Sequence, residues 1–271
     1  MLQIIHRDED SHHGSLTRTS PAFVAAAHAH DGKHHLLLAA SGSVAAIKIP
    51  NILAALADHP SLSVRLILTP SATCFLNGQS SEQPTLASLL DIPNVDGLFL
   101  DEAEWAVPWK RGNPILHIEL RRWAHMLVIA PLSANTLAKI VGGFADSLLT
   151  SVVRAWDTTG FIDDEGEAVA SVVSASPQPR RRKIIIVAPS MNTAMWKHPI
   201  TKTQIRVLEE DWGIREAKPA GVHVGEDEGE GEGWFEVLRP MEKELACGDV
   251  GSGAMKDWRE IVEVIESRLG L

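Results

Sequence analysis

The sequence predicts an α/β protein built on a doubly wound parallel sheet. Three observations carry that prediction. Short apolar runs recur along the chain, as "HHLLLAA", "VRLILT", "HMLVIA" and "KIIIVA", each bounded by turn signals. The runs are continuously apolar, as strands covered on both faces are. Stretches with helical spacing lie between them, so crossover helices return the chain in one direction. The expected architecture is a flavodoxin- or Rossmann-like three-layer sandwich, whose ligands gather beyond the carboxyl ends of the strands.

The elements follow in order. Residues 1–33 are rich in His, Ser, Asp and Ala without a sustained apolar period, and a disordered arm is expected there. Its His12, His13, His28 and His30, with His34 and His35 nearby, show no defined ligand spacing, so no metal site is expected. One domain is expected over 34–271. "HHLLLAA" is its first strand, "SGS" the turn, and 44–57 a helix. "VRLILT" is the second strand, opening into "PSATCFL". A less regular middle, rich in Pro and Asn, runs through "GLFLDEAEWAVPWKRGNP". "HMLVIA" is the next strand, "PLSANTLAKIVGG" leads into helical sequence up to Trp156, and "KIIIVA" is a further strand. Segments near 158–182 and 221–242 read as inserted loops. The first is acidic, then Ser/Pro-rich, then basic, and the second contains the low-complexity "GEDEGEGEG". The final "DWREIVEVIESRL" has amphipathic spacing and is expected to pack on the sheet.

Composition narrows the function classes. The formal charge of −10 over 271 residues leaves no basic face for nucleic acid. The one basic cluster, "RRRK" at 180–183, reads as a solvated loop end. Two cysteines, Cys74 and Cys247, are no disulfide framework and fit a reducing compartment. No apolar run approaches the ~20 residues that span a bilayer, and no signal-peptide order opens the chain. A cytoplasmic protein without a membrane partner is expected.

Chemistry-bearing residues gather where strands end. At Ser41-Gly42-Ser43-Val44 the glycine permits a tight turn between two hydroxyls at a helix start, which suits an anion or a plain N-cap. Pro131-Leu132-Ser133-Ala134-Asn135-Thr136 crowds small polar side chains at another helix start, again with capping as the alternative. In "APSMNTAMWKHP" Pro189 stops the strand, and Met191, Met195 and Trp196 are too apolar for a solvated loop. Core packing accounts for them but leaves Asn192 unexplained. "ILHIELRRWA" has His117 at a helix start with Arg121 one turn on. "ELACGDVGSGAM" sets Cys247 among glycines and small residues, as in a mobile loop.

Together "ASGSVAA", "HIELRRWA", "APLSANTLAKI", "PSMNTAMW" and "ACGDVGSGAM" resemble the flavin-containing cysteine decarboxylases, and among them the eukaryotic phosphopantothenoylcysteine decarboxylases. The resemblance runs from His34 to Met255. It implies FMN as cofactor, 4′-phosphopantothenoylcysteine as substrate and a step of coenzyme A biosynthesis. The implied chemistry oxidises the cysteine side chain to a thioaldehyde, lets CO2 leave, and reduces the enethiolate again to 4′-phosphopantetheine. It implies His117 as base, Asn192 as the carboxylate contact and Cys247 as the proton donor of the reductive half. Met195, Arg122 and Ala246 are implied as substrate contacts. Gly42, Ser43, Val44, Thr69, Ser71, Ser133, Ala134, Asn135, Thr136 and Ser190 are implied as flavin contacts. A homotrimer is implied, with flavin and histidine meeting between subunits.

This chain departs from that family at Ser190, where alanine is usual, and at Glu244, where a basic residue is usual and Lys243 stands next door. Three rival readings remain. One is a regulatory relative that inhibits a protein phosphatase or works only beside a paralogous subunit. The others are a decarboxylase of peptide C-terminal cysteines and an electron-transfer flavoprotein.

Overall fold

Alternation along each central strand explains why helices cover both sides of this sheet. The computed structural model describes residues 5–6, 22–160, 162, 182–215, 233–244 and 250–271. In chain order the strands are β1 (Ile5–His6), β2 (His34–Ala40), β3 (Leu62–Leu68), β4 (Asn77–Ser80), β5 (Gln83–Thr85), β6 (Val95–Phe99), β7 (Met126–Leu132), β8 (Ile184–Pro189), β9 (Phe235–Val237), β10 (Met241–Glu244) and β11 (Val250–Ala254). The helices are α1 (Ile49–Leu56), α2 (Pro70–Thr73), α3 (Leu86–Leu89), α4 (Leu116–Trp123), α5 (Ala134–Val141), α6 (Leu148–Arg154), α7 (Thr193–Lys197), α8 (Pro199–Arg206) and α9 (Trp258–Leu269). The main sheet has the order β1-β6-β3-β2-β7-β8-β9, and every neighbouring pair but β1–β6 is parallel. The chain moves outward from β2 through β3 to β6, then returns to the other side of β2 for β7 and continues to β9. The direction therefore reverses between β2 and β7, and a crevice opens there.

On β2, Leu36, Leu38 and Ala40 enter one core, which includes Ile52 and Leu53 of α1 and Ile261 and Ile265 of α9. Leu37 and Ala39 enter the opposite core, with Leu120 and Trp123 of α4, Leu137 of α5 and Leu149 and Val152 of α6. β7 and β8 divide in the same way, Val128 and Ile186 to the first core, Ile129 and Val187 to the second. A continuously apolar strand is thus two alternating apolar stripes, and the three expected layers follow. The expected C-terminal helix is α9, capped by Asp257 and ended by Gly270 in the left-handed region at φ 75°.

Three expectations need correction. The less regular middle contains a sheet strand, β6, paired with β3; its Asp96 and Gly97 interrupt the apolar run that marks the others. The segment 221–242 is not all inserted loop. Trp234 N–H and Phe235 N–H both donate to Trp212 O at 2.9 Å, and β9 then pairs with β8. Trp212 and Trp234 stack with centroids 5.8 Å apart, and Phe235 is buried. The residues between these paired ends, 216–232, lie outside the described residues, as does most of 158–182.

The third correction concerns the arm. Residues 22–33 pack on the domain: Phe23 is buried against Phe99 and Trp123, and the Arg65 guanidinium lies 4.3 Å from its ring centre. Ala25 N–H donates to Glu119 Oε2 at 2.8 Å. Residues 1–4 and 7–21 of the expected arm lie outside the described residues.

Behind this segment, His35 stacks between Trp123 and His125, with centroids 4.6 and 4.7 Å away. His35 N–H donates to His125 Nδ1 at 3.1 Å. Burial, then the nearby His35 and Lys183, push the His125 pKa down from 6.5 to about 4. A folded-state value below the unfolded one means this contribution to stability is complete above pH 6.5 and is lost as pH falls toward 4. By its accessible surface His125 is exposed, so only a small part of that shift is expected as stability. The melting temperature should fall over that interval. In His125→Asn, whose amide oxygen can accept from His35 N–H without titrating, the fall should be shallower. Identical slopes would remove His125 as the cause.

Candidate active site

Four neighbouring strands, β3, β2, β7 and β8, end in turns that carry hydroxyls or an amide. Thr69, Ser43, Ser133 and Asn192 are the N-caps that follow them, accepting from Ala72, Ala45, Thr136 and Met195 N–H. The capping alternative expected for the Ser43 and Ser133 turns therefore holds, and Thr69 and Asn192 prove to be caps as well. Ser41 ties the crevice together: its buried Oγ donates to Pro131 O at 3.0 Å and accepts from Ser133 N–H at 2.7 Å. Ser43 Oγ donates to Ser190 Oγ at 2.9 Å across β2 and β8, and Thr69 Oγ1 lies 3.2 Å from Ser71 Oγ. The Ser190 departure thus supplies a hydroxyl to this row. Ser133 Oγ donates to Thr136 Oγ1 at 3.2 Å. Val44, Ser71 and Asn135 are exposed at the rim, with Ala134 half-buried beside them.

The expected flavin contacts are thereby brought to one edge of the sheet. A Cβ at Gly42 would stand 2.4 Å from Ser71 Oγ and 2.7 Å from Ser71 Cβ, so only glycine leaves that hollow open. None of the four helical turns has an acidic residue in its first turn. Hydroxyls, free N–H groups and an uncharged hollow fit a phosphate-bearing flavin.

Asn192 begins α7 beside this cradle. Its Oδ1 accepts from Met195 N–H at 2.8 Å, so the amide oxygen is committed and the Nδ2 donors face outward, the polarity a carboxylate requires. The apolar neighbours divide: Met191 is buried and Trp196 packs on the core, while Met195 remains 49% exposed. The β10–β11 hairpin is fastened over α7. Met191 N–H donates to Gly253 O at 2.9 Å. A Cβ at Gly251 would meet Thr193 Oγ1 at 2.2 Å, and one at Gly253 would meet Met191 O. Glu244 and Val250 close the paired part of this hairpin. Ala246 and Cys247 belong to its connection, 245–249, which lies outside the described residues.

His117 stands at the start of α4, which runs against the strands and so begins at the same sheet edge. Its Nδ1 is 2.8 Å from Glu104 Oε1, and its backbone N–H donates to Glu104 Oε2 at 3.0 Å. The Glu104 side chain is 6% exposed and the His117 side chain 22%. Both line an open cleft of about 770 Å³ with Asp101, Asp146 and Arg154. Burial raises the Asp101 pKa, against the Leu148 N–H that donates to it, and the Glu102 and Asp146 charges raise it further. Trp105, which lines this cleft, is 68% exposed. Arg122 sits at the other end of α4, where Lys183 Nζ reaches its carbonyl, and pairs with Glu119 at 3.2 Å. Among the described residues no hydrogen bond or ion pair joins His117 or Arg122 to Asn192 within one chain. Sequence reading missed Glu104 and the stapling role of Ser41. "SGS" hinted at the second, but no local pattern signals a glutamate that meets a histidine 13 residues on.

The profile of a family described as Flavoprotein matches residues 24–270. The chain is 40% identical over 225 residues to the phosphopantothenoylcysteine decarboxylase of Arabidopsis thaliana, covering 83% of this chain and 80% of that one. It is 33% identical over 245 residues to the Mus musculus enzyme of the same name, covering 90% and 92%. It is 33% identical to the phosphopantothenoylcysteine decarboxylase subunit SIS2 of Saccharomyces cerevisiae, covering 89% of this chain and 41% of that one. Among solved structures it is similar to a cysteine-to-serine mutant of PPC decarboxylase complexed with pantothenoylaminoethenethiol, at TM-score 0.61 and 36% identity, covering 88% and 100%. It is likewise similar to the FMN binding protein AtHal3, at TM-score 0.59 and 38% identity, covering 87% and 96%.

Proposed function

This chain belongs to the flavoprotein family, and from that premise we propose that it decarboxylates 4′-phosphopantothenoylcysteine to 4′-phosphopantetheine in coenzyme A biosynthesis. The observation that carries the reading is the Asn192 turn, with its outward amide donors, beside the hydroxyl cradle at the switch between β2 and β7. FMN is the flavin of the reading, as in the similar FMN binding protein. When bound it supplies the reversible two-electron oxidation of the substrate's cysteine side chain.

The chain's own residues would do the rest. Ser43, Ser190, Ser133 and Thr136 would hold the cofactor's polar groups, with Gly42 giving it room. Val44, Thr69, Ser71, Ala134 and Asn135 would border it. Asn192 would orient the carboxylate through Nδ2, and Met195 would shield it from water. His117 would take the proton at Nε2, and Cys247 would return one to the enethiolate. Arg122 and Ala246 would complete the substrate contacts.

The cleft at His117, lined in part by the exposed Trp105, supports a homotrimer in which a neighbouring chain brings its cradle to this histidine. A cytoplasmic location fits the two-cysteine composition. The similarity to a decarboxylase subunit favours one second reading, a chain that acts only in a mixed assembly. Product mass separates the two. The purified flavin-loaded chain, given phosphopantothenoylcysteine and no reductant, should yield a product lighter by one CO2. A flavin-loaded protein that leaves the substrate intact would sink the self-sufficient enzyme and favour the mixed assembly.

A further inference from the structure

Glu104 has no part in the reading above, yet it makes both polar contacts that hold His117. We infer that Glu104 is a positioning residue that fixes His117 in the tautomer with hydrogen on Nδ1 and a free electron pair on Nε2. The inference rests on reading His117 as the base.

A carboxylate can only accept hydrogen bonds, so the ring nitrogen 2.8 Å from Oε1 must be the donor. In the neutral ring the other nitrogen then carries no hydrogen and can take a proton. The carboxylate cannot swing away, because Oε2 accepts the His117 backbone N–H at 3.0 Å and the side chain is almost wholly enclosed. Its backbone follows the turn Asp101–Ala103 just beyond β6, so the contact is anchored on the sheet.

A plainer role exists. The N-cap of α4 is Ile115, which offers no side-chain acceptor, and Glu104 Oε2 satisfies one of the helix's open N–H groups in its place. Glu104 would then matter for the helix alone. The two roles use different oxygens, so one substitution separates them.

Glu104→Gln keeps a single oxygen. The backbone N–H has no other form, so it claims that oxygen, and the amide NH2 turns to Nδ1. The ring must then accept at Nδ1 and carry its hydrogen on Nε2, the wrong nitrogen. Glu104→Ala removes both contacts and leaves the tautomers free.

The positioning role therefore predicts that the Gln variant loses as much as the Ala variant, or more. Its kcat for CO2 release should fall by about 10²–10³-fold with KM nearly unchanged, as expected when a general base is held in the wrong tautomer. Flavin content and melting temperature should stay near those of the parent. The helix role predicts the opposite order, a Gln variant near the parent and an Ala variant well below it, and that result would overturn the inference.

The second readout is independent of turnover. In the flavin-loaded full chain with ¹⁵N-labelled histidine, the His117 signals are assigned by their loss in His117→Asn. They should show protonated Nδ1 in the parent and protonated Nε2 in Glu104→Gln. Unchanged signals in Glu104→Gln would overturn the assignment whatever the rates. Full turnover by His117→Asn would remove the base reading instead, and leave the tautomer result standing on its own.

Discussion

His117→Asn is expected to take up flavin as the parent does and to release CO2 about 10³-fold more slowly, within the range a positioned base contributes. The separation of effects follows from the geometry. The cradle of Ser43, Ser190, Ser133 and Thr136 is built from strand ends that, among the described residues, make no hydrogen bond to His117. Losing the ring should leave it intact. Asparagine's Nδ2 can keep the 2.8 Å contact that Nδ1 now makes to Glu104, but it places nothing where Nε2 stood and has no basic nitrogen. Single-turnover CO2 release, normalised to bound flavin, is the measurement. If the histidine serves a neighbouring chain's cradle, assemblies mixing His117→Asn with Cys247→Ser chains should regain part of the yield of 4′-phosphopantetheine, which neither variant should form alone. No recovery in verified mixed assemblies would count against shared sites, and undiminished release by the homogeneous variant would make His117 structural.

Gly253→Ala should produce the next largest loss. Gly253 has φ +130°, a region side chains rarely adopt, and an added Cβ would press on Met191 O while standing 3.2 Å from Trp196 Cβ. Strain of this kind costs on the order of 1–3 kcal/mol before the steric term is counted. The cheapest relief is for β11 to lift from α7, breaking the 2.9 Å bond from Met191 N–H to Gly253 O. The hairpin whose connection carries Cys247 would then no longer be fastened beside Asn192. Turnover is expected to fall about 100-fold, since misplacement by an ångström costs that much, while the β2–β7 cradle keeps its flavin. Proteolysis should cut the variant first within 241–254. Parental rates and an unchanged digestion pattern would show that docking of this hairpin does not limit catalysis.

Legibility differed among the elements for physical reasons. β2, β3, β7 and β8 are central, buried on both faces and therefore continuously apolar, and their runs announce them. β6 and β9 lie farther out, where Asp96 and Gly97 interrupt one, and the other is three residues long behind a Gly/Glu tract. Phe23 gave no sign because one aromatic in a polar stretch has no period. Its partners, Arg65, Phe99 and Trp123, come from three separate elements. At the site, the cap residues could be recognised because capping is local chemistry. The Glu104–His117 contact and the distribution of His117 and Asn192 along one sheet edge are long-range, and spacing in the sequence does not encode them.

The pairing of Trp212 with Trp234 and Phe235 has a consequence for how this chain can change over evolution. Because the backbone closes at Trp212, Trp234 and Phe235, added length between these anchors is expected to cost roughly 0.6 kcal/mol in loop closure for each doubling. Residues can be gained, lost or exchanged between those anchors while β9 keeps its register on β8. The tract is thus a site where tags, reporters or new binding segments could be added, at a sheet edge insulated from their size.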